Sequence, residues 1–289
     1  MKTRPYVIVT PTYCVSAGVR VLHTLCHELN SLGLDAKLLL TSNLSPSPDK
    51  MLNPAFHTPV INHLMQDHWE QINEESIVIY ADGVPGNPFG AKRIVRYVLG
   101  KEMPKPEDDP SEYRVYYSKS FPVRREAKNR TLFLLPVDLG LFNDKGVVAR
   151  TQDMLWLGKG SGFYTEPIPN VVPITYQWPE TRQELAAQLR RTRFLYSYDA
   201  VSSTNVEAVL CGAIVILKQV SYHHWEFSRA DMEAHEATAG GFAFGDSPFE
   251  IERAIRTRQE LVENLRYQQA SFRQRLLDFV SETQLHFNK

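Results

Sequence analysis

The feature that most constrains this chain is a repeated alternation of short, continuous apolar runs with stretches of helical spacing. Tyr6–Thr10 reads Tyr-Val-Ile-Val-Thr, rich in β-branched residues and without polar alternation. Strands buried on both faces of a parallel sheet look like this. A loop follows over residues 11–18. Val19, Leu22, Leu25, Cys26 and Leu29 then recur at helical spacing, and Gly33 stands where a helix C-cap takes a left-handed residue. Ala36–Leu40 is the next apolar run. Parallel strands need a crossover between them, so this β–helix–β order predicts a parallel α/β sheet.

The alternation continues along the chain. Residues 77–80 read as a strand that ends in the turn cluster Asp82-Gly83-Val84-Pro85-Gly86-Asn87-Pro88. Ile94, Val95 and Val98 predict a helix over 89–100, with Lys92, Arg93 and Arg96 on its solvated side. Residues 113–117 and 132–135 read as strands, and 43–54 and 101–109 as loops. Residues 143–152 are polar without periodicity, and the domain boundary is placed there. Residues 154–157 restart the pattern and run into Gly158-Lys159-Gly160. Residues 174–176, 194–198 and 213–217 read as strands. Thr181-x-x-Glu184 has the form of a capping box that opens a helix. A short helix is expected over 205–211, and 248–287 reads as two consecutive helices. The expectation is an α/β chain with two Rossmann-like domains facing across a cleft. Residues 1–148 form the first and 149–270 the second, and helix 271–289 follows. Open parallel sheets bind ligands outside the carboxyl ends of their strands.

Composition narrows the function classes. The 289 residues carry a net charge of -1, which gives no chain-wide electrostatic footprint for nucleic acid. Cys14, Cys26 and Cys211 are too few and too widely spaced for a disulfide scaffold or a structural zinc site. His23 and His27 lie four apart but not in an H-E-x-x-H frame. His223-His224-Trp225-Glu226 lacks further ligands at usable spacing, so no metal site is expected. No stretch reaches the ~18 apolar residues of a membrane span, and the first residues lack a signal-peptide apolar region. A cytoplasmic protein is expected, with peripheral contact at the inner face of a membrane allowed.

The segment 196–217 carries the most chemistry. Asp199 ends a strand. Eight positions later Glu207 falls in the first turn of a helix, followed by Ala208, Gly212 and a new apolar run. Ser202, Ser203, Thr204 and Asn205 place hydroxyls and backbone N–H groups at that helix N-terminus, a setting that favours phosphate. Thr204-x-x-Glu207 also has the form of a capping box, which alone would account for both residues. Tyr176, Tyr198 and Tyr222 stand near strand ends, where they would either stack on a base or pack the rim.

This pattern resembles the acid-x7-acid motif of GT-B glycosyltransferases of the family 4 type. The resemblance implies that Glu207 holds the ribose of a nucleoside-diphosphate-sugar donor, that Asp199, in place of the usual Glu, approaches the donor sugar, and that helix 271–289 packs back on the first domain. Ala17 and Gly18 match the small-residue turn that approaches the donor phosphates, and Lys159 the basic residue that contacts the diphosphate. No cofactor is implied, and the lack of a D-x-D motif (Asp108-Asp109-Pro110 lacks the spacing) fits a metal-independent reaction. Asp82 is the candidate base on the acceptor side. Transfer to a glycan, lipid-linked or other hydroxyl acceptor, with retention and in polysaccharide or glycoconjugate synthesis, follows from the resemblance. A nucleotide-sugar epimerase of the same fold and a non-catalytic binding protein are the alternatives.

Overall fold

The computed structural model describes residues 3–14, 16–42, 50–101, 111–123, 129–221 and 226–288. Parts of the 43–54 and 101–109 loops, Asp108-Asp109-Pro110, Tyr222, His223, His224 and Trp225 lie outside the described residues. The chain divides into two compact units, one of residues 1–136 with 270–289, the other of residues 137–269.

The first unit is built on a five-stranded sheet in the order β2-β1-β3-β4-β5, with every pair parallel. Its strands are β1 (Tyr6–Thr10), β2 (Ala36–Leu40), β3 (Ile77–Ala81), β4 (Ile94–Val98) and β5 (Tyr113–Tyr116). All five residues of β1 are buried, and the alternation of the pleat sorts them between two cores. Tyr6 and Ile8 pack with α1 (Ala17–Ser31) and with Leu276 and Phe279 of the last helix; Val7 and Val9 pack with Ile61, Ile72 and Ala91 on the other face. That last helix is α7 (Phe272–Phe287). It is fastened along β1 by Tyr6 Oη and Thr283 Oγ1 at 2.7 Å and by a two-way bond between the Arg4 backbone and the Gln284 amide. On the opposite face α2 (Gln66–Glu70) runs into a π-helical turn, Gln71–Glu75.

Two expectations in this unit are corrected. Residues 94–98 are a strand, not part of a helix. Ile94, Val95 and Val98 fit either period, and the β-branched content decides for the sheet. Arg96 is therefore buried rather than solvated. Glu112 neutralises it and the carbonyls of Ala81, Val84 and Gly86 accept its remaining N–H groups. Lys92 pairs with Glu74, and Arg93 donates to the Glu74 carbonyl. Residues 132–135 form no strand. One bridge joins Thr131 to Tyr116, after which Leu132, Phe133 and Leu134 are buried as irregular chain.

The second unit repeats the plan with a sheet in the order β10-β9-β8-β6-β7, again all parallel. Its strands are β6 (Gln152–Trp156), β7 (Val171–Ile174), β8 (Thr192–Ser197), β9 (Ile214–Leu217) and β10 (Phe242–Phe244). Its helices are α3 (Arg182–Arg190), α4 (Ser203–Leu210), α5 (Arg229–Ala234) and α6 (Pro248–Ala270). The Thr181–Glu184 capping box is formed in both directions. This unit begins at residue 137, earlier than the polar stretch indicated. Residues 141–143 are claimed by Arg190, whose guanidinium donates to the carbonyls of Leu141 and Asn143. No helix among the described residues is long and apolar enough to cross a membrane.

Candidate functional site

In each sheet the chain reverses direction of growth once. In the second sheet it steps from β6 outward to β7, then returns to lay β8 on the other side of β6. The carboxyl ends of β6 and β8 therefore flank a topological switch point, the place where open parallel sheets bind ligands. The Gly158-Lys159-Gly160 segment follows β6 and Asp199 follows β8, so the fold brings them together there.

Their contact is close. Residues Gly158–Phe163 form a 3-10 turn. Gly158 has φ +48°, and a Cβ on it would lie 2.3 Å from Asp199 Oδ2; a Cβ on Gly160 would lie 1.9 Å from the Tyr198 carbonyl oxygen. Both positions need the missing side chain. Asp199, only 3% exposed, accepts the Lys159 backbone N–H on Oδ2 at 3.1 Å, while the Lys159 side chain is exposed. The Asp199 carboxylate thus shapes the turn that presents Lys159.

Helix α4 completes this rim. Ser202 is its N-cap, accepting from the Thr204 N–H at 3.2 Å and from Trp156 Nε1 at 2.9 Å. The alternative reading of Thr204–Glu207 as a capping box therefore fails, and Glu207 stands in the second turn, not the first. Fully buried Asn205 donates from its amide to the carbonyls of Asp199 and Ala200 at 2.8 and 3.2 Å, which ties the helix to the strand end. At the far end of α4, Arg258 donates to the carbonyls of Val209 and Leu210, and Arg150 to that of Cys211. Cations there complement the helix dipole.

Glu207 is fully buried, and its carboxylate accepts from Arg182 on α3, whose guanidinium also lies 4.6 Å over the Phe142 ring. Arg182 was not found from the sequence. The available signal was an acid flanked by Val206, Ala208, Val209 and Leu210, which has no solvent face and so needs a counter-charge. At the end of β7, Thr175 closes a tight turn that displays Tyr176 and Trp178, 59% and 38% exposed. Tyr176 packs edge-on against Trp156, and its phenol is pushed upward by partial burial and then by the Asp199 charge. Tyr198 is buried, edge-on to Tyr164.

The first sheet has its own switch point, between β1 and β3, and the remaining candidates lie there. Ala17 and Gly18 open α1. A Cβ on Gly18 would meet only Leu99 Cδ1, at an ordinary 3.5 Å. Asp82 is half-buried and its Oδ1 accepts the Leu99 N–H at 3.0 Å. Asn87 closes the turn after it, bonding Tyr80 Oη and both backbone groups of Ala91. Fully buried His23 is bonded through Nε2 to the Pro11 carbonyl, and burial lowers its pKa. Among the described residues no group of His, Cys, Asp and Glu converges as a metal site requires.

No protein-family model matches this sequence, and no curated protein matches it. Solved structures similar to this chain over nearly its full length include the following three. A spinosyn rhamnosyltransferase, SpnG, is 12% identical over 96% of this chain and 95% of that one, with a TM-score of 0.41. An α-glucosyltransferase solved with UDP and a 13-mer DNA containing a central A:G mismatch is 10% identical over 99% and 92%, with a TM-score of 0.46. The glycosyltransferase SnogD from Streptomyces nogalater is 13% identical over 98% and 95%, with a TM-score of 0.39. No residue of the site is assigned from these likenesses.

Proposed function

We propose that the chain is a nucleotide-sugar-dependent glycosyltransferase of GT-B type, transferring a sugar from a nucleoside-diphosphate donor to an acceptor hydroxyl. The observation that carries this reading is the rim at the β6–β8 switch point. There a turn with two obligatory glycines, an exposed lysine and the N-terminus of α4 meet around a buried carboxylate. The missing Cβ atoms let the backbone of the turn close on the strand end at Tyr198 and Asp199, which sets where Lys159 stands on the rim. The α4 N-terminus at Ser202, Ser203, Thr204 and Asn205 and the Lys159 ammonium both favour the charge that grows on a departing diphosphate. With those groups in place, the leaving group is stabilised by the chain itself. Asp199 holds the turn in shape. Glu207 belongs to the same site through the guanidinium it binds. Tyr176 and Trp178 offer aromatic faces for a base at the neighbouring strand end.

The test is a thermal-shift screen against UDP, GDP, dTDP, CDP and ADP and their common sugar conjugates, without metal and then with Mg²⁺. A ligand at 100 times its Kd adds about 2.7 kcal/mol of stability, which is readily seen. A shift with one diphosphate and its sugar conjugate supports the reading. Incubation with that conjugate alone, followed by product analysis, separates transfer from epimerisation, since an epimerase returns an altered sugar nucleotide. Silence with every nucleotide overturns the proposal.

A further inference from the structure

The Arg182–Glu207 pair is asymmetric in a way that reassigns its two members. Glu207 is enclosed, with its side chain 0% exposed, whereas the Arg182 side chain keeps 42% of its surface open. A carboxylate removed from water is tolerated when a cation pairs with it, and Arg182 supplies that cation. The guanidinium is held along one edge by Glu207 and across one face by the ring of Phe142, itself buried. These two contacts restrain an otherwise flexible side chain. A fixed guanidinium presents a planar fork of N–H donors that matches two oxygens of one phosphate.

Its place in the fold agrees. Arg182 is the first residue of α3, directly after the capped Thr181. Helices that cross between parallel strands run back against them, so α3 and α4 both begin on the side of the sheet where the strands end. Arg182 therefore opens on the same end of the sheet as Gly158–Gly160 and Ser202.

We propose that Arg182 contacts the phosphates of the bound nucleoside diphosphate, and that Glu207 is a positioning residue that acts through Arg182 instead of meeting the ribose itself. This rests on the reading of residues 137–269 as a nucleotide-sugar-binding unit.

Calorimetric titration with UDP, GDP, dTDP, CDP and ADP, and with the matching phosphate-free nucleosides, tests it. The proteins are the wild type, Arg182→Lys, Glu207→Gln and the double variant. Arg182→Lys keeps a cation for Glu207 and is the variant that preserves the fold; its melting temperature is checked first. The expected result is a loss of about ten-fold or more in diphosphate affinity for Arg182→Lys, since a bond to a charged group is removed. Nucleoside affinity should stay unchanged. Glu207→Gln should show the same selective loss, and the double variant no further loss, as expected for residues in one chain of action. Two results overturn the assignment alone: undiminished diphosphate binding by Arg182→Lys, or an equal loss of nucleoside and diphosphate binding in Glu207→Gln. If the wild type binds none of the diphosphates, the nucleotide-sugar reading itself fails and the assignment falls with it.

Discussion

Gly160→Ala is the most demanding probe of the candidate site. The added Cβ would lie 1.9 Å from the Tyr198 carbonyl oxygen, 2.7 Å from its carbonyl carbon and 3.0 Å from its Cβ. The first distance is 1.1 Å inside the 3.0 Å that real Cβ contacts respect. The obstacle is backbone, and it is anchored: the Tyr198 N–H donates to the Trp156 carbonyl at 2.9 Å, and the buried ring packs on Tyr164. No side-chain rotation relieves the clash, so the turn must move off the strand end and pull the Lys159 N–H away from Asp199. Overpacking costs about 1–3 kcal/mol, and an immovable partner puts this case near the top of that range. With a urea m-value of ~2 kcal/mol/M, the midpoint falls by about 1 M or more. Gly18→Ala is the control. Its Cβ meets one methyl at an ordinary 3.5 Å within α1, so it should be neutral or stabilising by up to about 1 kcal/mol. Urea unfolding followed by circular dichroism measures both. A Gly160→Ala midpoint equal to that of the wild type would show that the Tyr198 contact is not the constraint argued here.

Three more outcomes are expected. Arg96 and Glu112 are 8% and 9% exposed, so Arg96→Met strands a buried carboxylate and should cost about 3–5 kcal/mol in chemical denaturation; a loss below about 1 kcal/mol would contradict the pair's burial. His23 has its pKa lowered by burial, so the unfolded chain binds the proton more readily. The stability it contributes is complete above the ordinary imidazole value of 6.5 and is lost as pH falls from there through the lowered folded value. Melts between pH 5 and 8 should show that slope, and His23→Gln should flatten it; an unchanged slope assigns it elsewhere. Burial pushes the thiols of Cys26 and Cys211 up to about 12, while Cys14 is half-buried. A thiol reagent at pH 8 should therefore label Cys14 in the folded protein and all three after denaturation; rapid labelling of Cys26 or Cys211 in the folded state would refute their burial.

The strands that could be read from the sequence are those buried on both faces, because such strands must be apolar throughout. The observed limits of β1 and β2 coincide with their apolar runs. Strand β4 was misread for a related reason. Apolar residues at 94, 95 and 98 satisfy a helical period as well as a strand, and Arg96 between them looks like a solvated residue. Only Glu112, sixteen positions away, makes a buried arginine tolerable, and no local pattern carries that information. The same holds at the site. Gly158, Asp199 and Ser202 have the residue types of turns and caps, but Asp199 meets the turn at 158–159 and Ser202 takes the Trp156 indole N–H, both from about forty positions away. Arg182 acquires its role from Glu207, twenty-five residues on, and from Phe142, forty residues earlier. Strand β10 and helix α5 were missed as well: a three-residue strand and a six-residue helix leave too short a period to detect.

The proposed donor site is assigned to the second unit because the two switch points differ physically. Both sheets reverse at a strand pair, and both carry glycines and an acid there, so the sequence treats them alike. Physically they differ. At the first, the glycines have room: nothing lies within 4 Å of a Cβ on Gly83, and Gly18 has only an ordinary contact. Asp82 caps the Leu99 N–H, and Arg96 takes the carbonyls of Val84 and Gly86, so the polar groups of that loop serve to hold the loop. At the second, Gly158 and Gly160 have no room for a methyl group. Asp199 accepts the Lys159 backbone N–H, and the Lys159 side chain is exposed. Turns that need glycine only for flexibility occur throughout proteins, whereas a turn packed so tightly that two successive alternate positions must lack a Cβ is costly to keep. A close, lysine-bearing backbone turn at the end of a parallel sheet is a suitable cradle for a diphosphate, and the described residues offer that geometry at β6–β8 and not at β1–β3.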